Sequence, residues 1–113
     1  MKSQMKDVIH AKAKLFRGLA DVSRLSIVEV LRNGPMNVSE VVKATGLTQP
    51  NASMHLSCLW RCGLVDREVR GRFTWYRIRS EKFTRILTAA EEVLSKVVDR
   101  IEECRRYEGP VDG

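Results

Sequence analysis

The chain has 113 residues, 43% of them apolar, with 20 Lys and Arg against 14 Asp and Glu for a net charge of +6. That length suits one small domain whose core a dimer would enlarge, and the charge favours an anionic partner, nucleic acid before a membrane surface. No apolar run approaches the roughly 18 residues of a membrane span and no signal-peptide core follows the basic N-terminus, so the expected setting is the cytoplasm, where cysteines stay reduced.

In chain order, Met5, Val8, Ile9, Leu15, Phe16 and Leu19 recur at helical spacing and predict a first helix. Asp21 suits the N-cap of a second, with Leu25, Ile27, Val28, Val30 and Leu31 as its apolar face and Asn33-Gly34-Pro35 as its end. Asn37 or Ser39 can cap a short third helix through Val41, Val42 and Ala44, stopped by Gly46. Thr48 can cap a fourth, with Pro50 tolerated in its first turn. That helix runs through Ala52, Leu56 and Leu59 to Gly63, so it covers about residues 48–62.

The period then changes. Leu64 to Val69 and Phe73 to Arg79 alternate as two strands, and Arg70-Gly71-Arg72 reads as the turn between them, a wing of about residues 64–79. A long helix follows over about residues 80–106. Phe83, Ala90, Val97 and Cys104 form one seven-residue row, and Leu87, Leu94 and Ile101 form another. Two such rows predict a helix packed lengthwise on a partner, and a two-fold seam accommodates that stripe. The expected fold is mainly α with a small β-hairpin, a winged helix-turn-helix of order ααααββα, dimerising through its first and last helices. One domain is expected over residues 1–113, with an ordered core of about 5–106.

Charge follows this division. Residues 61–85 hold eight basic and three acidic side chains, whereas residues 86–113 hold four basic and seven acidic ones. A basic block on the wing, just after a helix-turn-helix, points to double-stranded DNA. In such modules the second helix of the pair enters the major groove and its N-terminal residues meet base edges. Here those residues are Gln49, Asn51, Ser53 and Met54. Gln and Asn suit adenine, Ser accepts several edges, and Met54 offers apolar contact to a thymine methyl. Thr48 and the helix N-terminus suit a phosphate, and Arg70 and Arg72 would hold the backbone or enter the minor groove. No Ser-His-Asp set, phosphate-binding glycine loop or catalytic carboxylate pair is present, and there are only two His, so neither enzyme activity nor a small-molecule substrate is expected.

Cys58 and Cys62 lie four apart at the end of the fourth helix, which puts both thiols on one face, one turn apart. Their Cβ atoms should be about 5–6 Å apart, whereas a disulfide needs about 3.8 Å. The pair therefore suits a soft metal ion better than a disulfide on an intact helix. Both should flank the Ala52/Leu56/Leu59 core row, at the boundary of the buried face. His55 precedes Cys58 by three and is expected on the helix surface or facing DNA. His55 and His10 could each supply nitrogen to a zinc-like ion.

The stretch from Leu47 to Ser57, and Leu19 to Ile27 before it, resemble the recognition helix and second helix of the ArsR/SmtB metal-sensing repressors. The segment His55 to Val65 is similar to the cadmium- and lead-sensing CmtR branch of that family. The resemblance spans roughly residues 10–106. It implies a dimeric winged-helix repressor that leaves operator DNA when metal binds, with Cys58, Cys62 and Cys104 as ligands. The row that Cys104 shares with Phe83, Ala90 and Val97 places it at the dimer seam, so it should complete a site on the opposite protomer. Cd(II) or Pb(II) is the expected effector and Zn(II) a weaker fit. A thiol redox sensor or an As(III) sensor of the same fold is the alternative. Met54 departs from the family, which often has His there, so base preference should differ.

Overall fold

The computed structural model describes residues 2–103. They form α1 (Lys2–Leu19), α2 (Val22–Leu31), β1 (Met36–Asn37), α3 (Val38–Thr45), α4 (Gln49–Arg61), β2 (Val65–Arg70), β3 (Phe73–Ile78) and α5 (Glu81–Glu103). Capping side chains set three of the starts. Asp21 accepts the Arg24 amide at 2.9 Å ahead of α2. Asn37 accepts the Glu40 amide at 2.9 Å while Glu40 accepts the Asn37 amide at 3.1 Å, a reciprocal capping box that selects Asn37 over Ser39. Thr48 accepts the Asn51 amide at 3.3 Å ahead of α4.

The sheet has the order β1-β3-β2, with both pairings antiparallel. β1 pairs Met36 with Tyr76 and Asn37 with Trp75. It adds a third strand to the expected hairpin, and two residues are too few to show alternation in sequence. The turn between β2 and β3 is two residues, Gly71-Arg72, one shorter than the expected Arg70-Gly71-Arg72. Gly71 has φ +60 and Arg72 is not in the positive-φ region, the pattern of a hairpin turn with glycine first.

Ile27, Val28 and Leu31 of α2, Val41 of α3, Ala52, Leu56 and Leu59 of α4, Val65, Tyr76, Phe83 and Leu87 form the core, with Leu19 closing it from α1. Leu25, expected on the buried face of α2, is instead exposed at the rim of a groove shared with Ala44 of α3. The two outer helices are only partly used. α1 exposes Met5, Val8, Ile9 and Phe16, and α5 exposes Ile86, Val93 and Leu94. The predicted rows on α5 therefore divide. Phe83 and Leu87 serve their own domain, Ala90 and Leu94 are exposed, and Val97 is half-buried. The radius of gyration is 15.6 Å, against about 13 Å for a compact chain of this length. Apolar faces that extend past their own core fit a helix shared with a second copy.

Arg32, just past α2, positions α5. Its guanidinium donates to Glu91, to Glu29 at 3.0 Å and to Thr88 at 3.0 Å. Glu91 first and Glu29 second raise its pKa further above the ordinary guanidinium range, so the clasp keeps its cation at every ordinary pH. Among the described residues, no helix is long and apolar enough to cross a membrane.

Candidate nucleic-acid interface and thiol pair

The turn into α4 is held by local hydrogen bonds. The Gly46 amide donates to Val42 at 2.8 Å, Thr45 Oγ1 donates to Val41 at 2.7 Å, and the Leu47 amide donates to Thr45 Oγ1 at 3.3 Å. Ala52 and Leu56 are then fully buried and hold α4 against α2 and α3. That anchoring decides which side chains face solvent. Thr48, Gln49, Asn51 and Ser53 are exposed, and Met54 is 58% exposed. Every residue expected to meet base edges is thus exposed. Thr48 takes the Asn51 amide and Pro50 has none, so the helix N-terminus offers a phosphate mainly the Gln49 amide.

His55 is a correction. It was expected on the helix surface or facing DNA, yet it is only 6% exposed. It follows Ala52 by three and precedes Leu59 by four, so it shares their face. That spacing is the signal in the sequence for its burial.

The opposite end of α4 carries the thiols. The Cys62 amide donates to Cys58 O at 3.0 Å, and Cys62 keeps right-handed helical angles, so the helical turn is continuous from one cysteine to the other. Gly63, at φ +80, then reverses the chain. Its amide donates to Trp60 O and the Leu64 amide to Leu59 O, both at 3.0 Å, which closes the helix in a left-handed cap. Both cysteines are free thiols and both are exposed, further from the core than the boundary position expected of them. Thiolates around one ion of zinc size stand about 3.8 Å apart, and Cβ atoms about 5–6 Å apart can converge to that spacing without bending a helix. The donor set fits a soft ion but supplies only two sulfurs. Among the described residues no group of three His, Cys, Asp or Glu is poised for a metal, and neither His10 nor His55 makes one with the thiols. Cys104 lies outside the described residues.

Two features of the wing went unread in the sequence. Arg67 of β2 lies over the indole of Trp60, which stands between the two cysteines in sequence. Asp66 accepts from Arg79 at 2.8 Å and pairs with Arg77 at 3.8 Å. Arg70 pairs with Glu68 at 3.1 Å and reaches over Trp75, while exposed Arg72 has no ion pair among the described residues.

A three-helix core that presents α4 outward, flanked by a basic two-stranded wing, defines a winged-helix DNA-binding regulator. Residues 21–67 match the family described as bacterial regulatory protein, arsR family. The chain is 36% identical over 94 residues to the HTH-type transcriptional regulator CmtR of Mycobacterium tuberculosis, covering 83% of this chain and 79% of that one. It is 30% identical over 97 residues to a probable mercury resistance operon repressor of Streptomyces lividans, covering 86% and 78%. The solution structure of a homodimeric winged helix-turn-helix DNA-binding domain from Mycobacterium bovis, a possible ArsR-family transcriptional regulator, matches with a TM-score of 0.72 at 28% identity, covering 80% of this chain and 84% of that one. The chain belongs to the arsR family, and fold and family make it a transcription regulator rather than an enzyme.

Proposed function

We propose that the protein is a repressor that binds a two-fold operator as an apo homodimer and is released when a soft metal ion binds Cys58, Cys62 and Cys104. The observation that carries this reading is the division of α4. Exposed Gln49, Asn51, Ser53 and Met54 occupy one end, and two exposed thiols one turn apart occupy the other. Membership of the arsR family and the similarity to CmtR support it.

Gln49 and Asn51 suit adenine edges, Ser53 adapts to several, and Met54 suits a thymine methyl. Thr48 fixes the start of α4, and Arg70 and Arg72 reach the flanking backbone. The exposed apolar residues of α1 and α5 form the two-fold seam, which sets the two α4 helices about 34 Å apart, one turn of DNA. Cys58 and Cys62 would hold the ion at the end of α4, and Cys104 of the opposite protomer would supply the third sulfur. When bound, the ion supplies a soft cross-link between these thiolates. Three sulfurs suit Cd(II) or Pb(II); Zn(II) fits less well, because it prefers four ligands and His55 is buried away from any cluster. The setting is the cytoplasm, where the thiols stay reduced.

The exposure of both free thiols also favours a second reading, a redox or As(III) sensor of the same fold. One titration separates them. A duplex selected by the protein from random-sequence DNA is bound by reduced protein, and Cd(II), Pb(II), Zn(II), arsenite and peroxide are added in turn. Release by Cd(II) or Pb(II) is expected. Release by peroxide alone or arsenite alone assigns the second reading, and no release by any of them removes both.

A further inference from the structure

We propose that the tip of the wing is an apolar wedge for the DNA minor groove, with Phe73 as the inserting side chain. This rests on the DNA-binding reading above. The register of β2 on β3 gives the hairpin two faces. Arg67 pairs with Tyr76 on the face turned to the core, and Arg70 pairs with Phe73 on the outer face. On that outer face Asp66, near the base of the hairpin, is engaged by Arg77 and Arg79, and Glu68, two residues short of the tip pair, is engaged by Arg70. No acid follows towards the tip, where Arg70, Gly71, Arg72 and Phe73 end the ribbon.

Phe73 is 51% exposed there, and Val69, on the other face beside the same turn, is 71% exposed. The core ends at Val65, Tyr76 and Ile78, and among the described residues no core side chain covers either. Each is therefore available to a partner that reaches the hairpin end. Charge selects the partner. Two copies meeting tip to tip would crowd their arginines together, whereas a phosphate-lined groove attracts them. The minor groove is about 6 Å wide, too narrow for two strands about 4.8 Å apart with their side chains. The backbone therefore stays outside, and single side chains enter. An apolar group between flanking arginines is the combination that minor-groove binders insert against sugars and base steps. The two-residue turn at Gly71 keeps the loop short, so no longer segment stands in front of Phe73.

The test uses the full chain and the duplex it selects from random-sequence DNA. Phe73→Ala is expected to weaken binding about five- to tenfold, the share of a phenyl burial still available to a half-exposed ring. Its salt dependence should stay unchanged, whereas Arg72→Ala should reduce the slope of log affinity against log salt by about 0.9 for each phosphate left without its cation. Phe73→Leu should retain most of the affinity. Hydroxyl-radical protection at the flanks of the site should fade in Phe73→Ala and persist in Phe73→Leu. Phe73→Ser serves as a second truncation if the alanine variant unfolds early. Wild-type affinity in Phe73→Ala, unchanged flank protection, or a change in oligomeric state without a change in affinity overturns the wedge alone. Failure of the wild-type chain to select any duplex overturns the DNA-binding reading, and the wedge with it.

Discussion

The guanidinium of Arg67 sits 3.5 Å from the centroid of the Trp60 ring. Trp60 lies between Cys58 and Cys62 in sequence, and Arg67 lies on the first strand of the wing. The stack therefore ties the thiol-bearing end of α4 to the hairpin. A cross-link pulling on that end would be felt by the wing as well as by the helix.

Arg67→Gln should lower stability by about 0.5–1 kcal/mol, the usual worth of an exposed cation–π contact. A double-mutant cycle with Trp60→Leu, read by chemical denaturation, isolates the pair. Additive losses would show that the two side chains do not interact energetically.

Serine at Cys58, Cys62 or Cys104 should leave apo DNA binding within about twofold, because such coupling is a property of the bound state. Each variant should lose the metal response, which for a coupled system amounts to about 5–150-fold in affinity. Ultraviolet thiolate-to-metal absorption, titrated with Cd(II) and Pb(II), should shrink in all three. By reciprocity the wild-type protein on DNA should bind metal more weakly by the same factor. A response that survives in Cys104→Ser would confine the site to α4.

Asp21 is 5% exposed; one carboxylate oxygen caps α2 and the other, Oδ1, has no hydrogen-bond partner among the described residues. Asp21→Ala removes a cap worth about 1 kcal/mol but also removes that orphaned acceptor. Asp21→Ser keeps a cap and discards the orphan. Urea midpoints should rank serine at or above the wild type and alanine below it. Alanine ranking at or above the wild type would show that the buried oxygen costs more than the cap contributes.

Leu94 is 42% exposed on α5, beyond the last residues that α5 commits to its own core. Leu94→Glu should leave the circular dichroism spectrum unchanged and shift sedimentation from dimer to monomer. Operator affinity should fall with it, because two half-sites read by one dimer become separate binding events. A Leu94→Glu dimer of undiminished affinity would move the seam elsewhere.

Most of the order of elements was legible because it is written in local rules. Asp21, Asn37 and Thr48 each accept an amide three residues on, and the glycines at 46, 63 and 71 stand where the chain must turn. β1 was not legible, since a two-residue strand exists only through its pairing with Trp75 and Tyr76. The exposure of Gln49, Asn51, Ser53 and Met54 was legible because their spacing avoids the Ala52/Leu56/Leu59 row. His55 carries the spacing of that same row, and its burial follows the row although histidine is a polar residue.

The sequence by itself determined the helices, their caps, the wing and the one-turn separation of Cys58 and Cys62, all set by neighbours within a few residues along the chain. Only the tertiary structure decided that both thiols are exposed, that Arg32 clasps Glu91, and that Arg67 covers Trp60. These facts depend on how far each helix is rotated against the core and on which segments, remote in sequence, meet there. Packing of side-chain volumes fixes that rotation, and no local spacing encodes it.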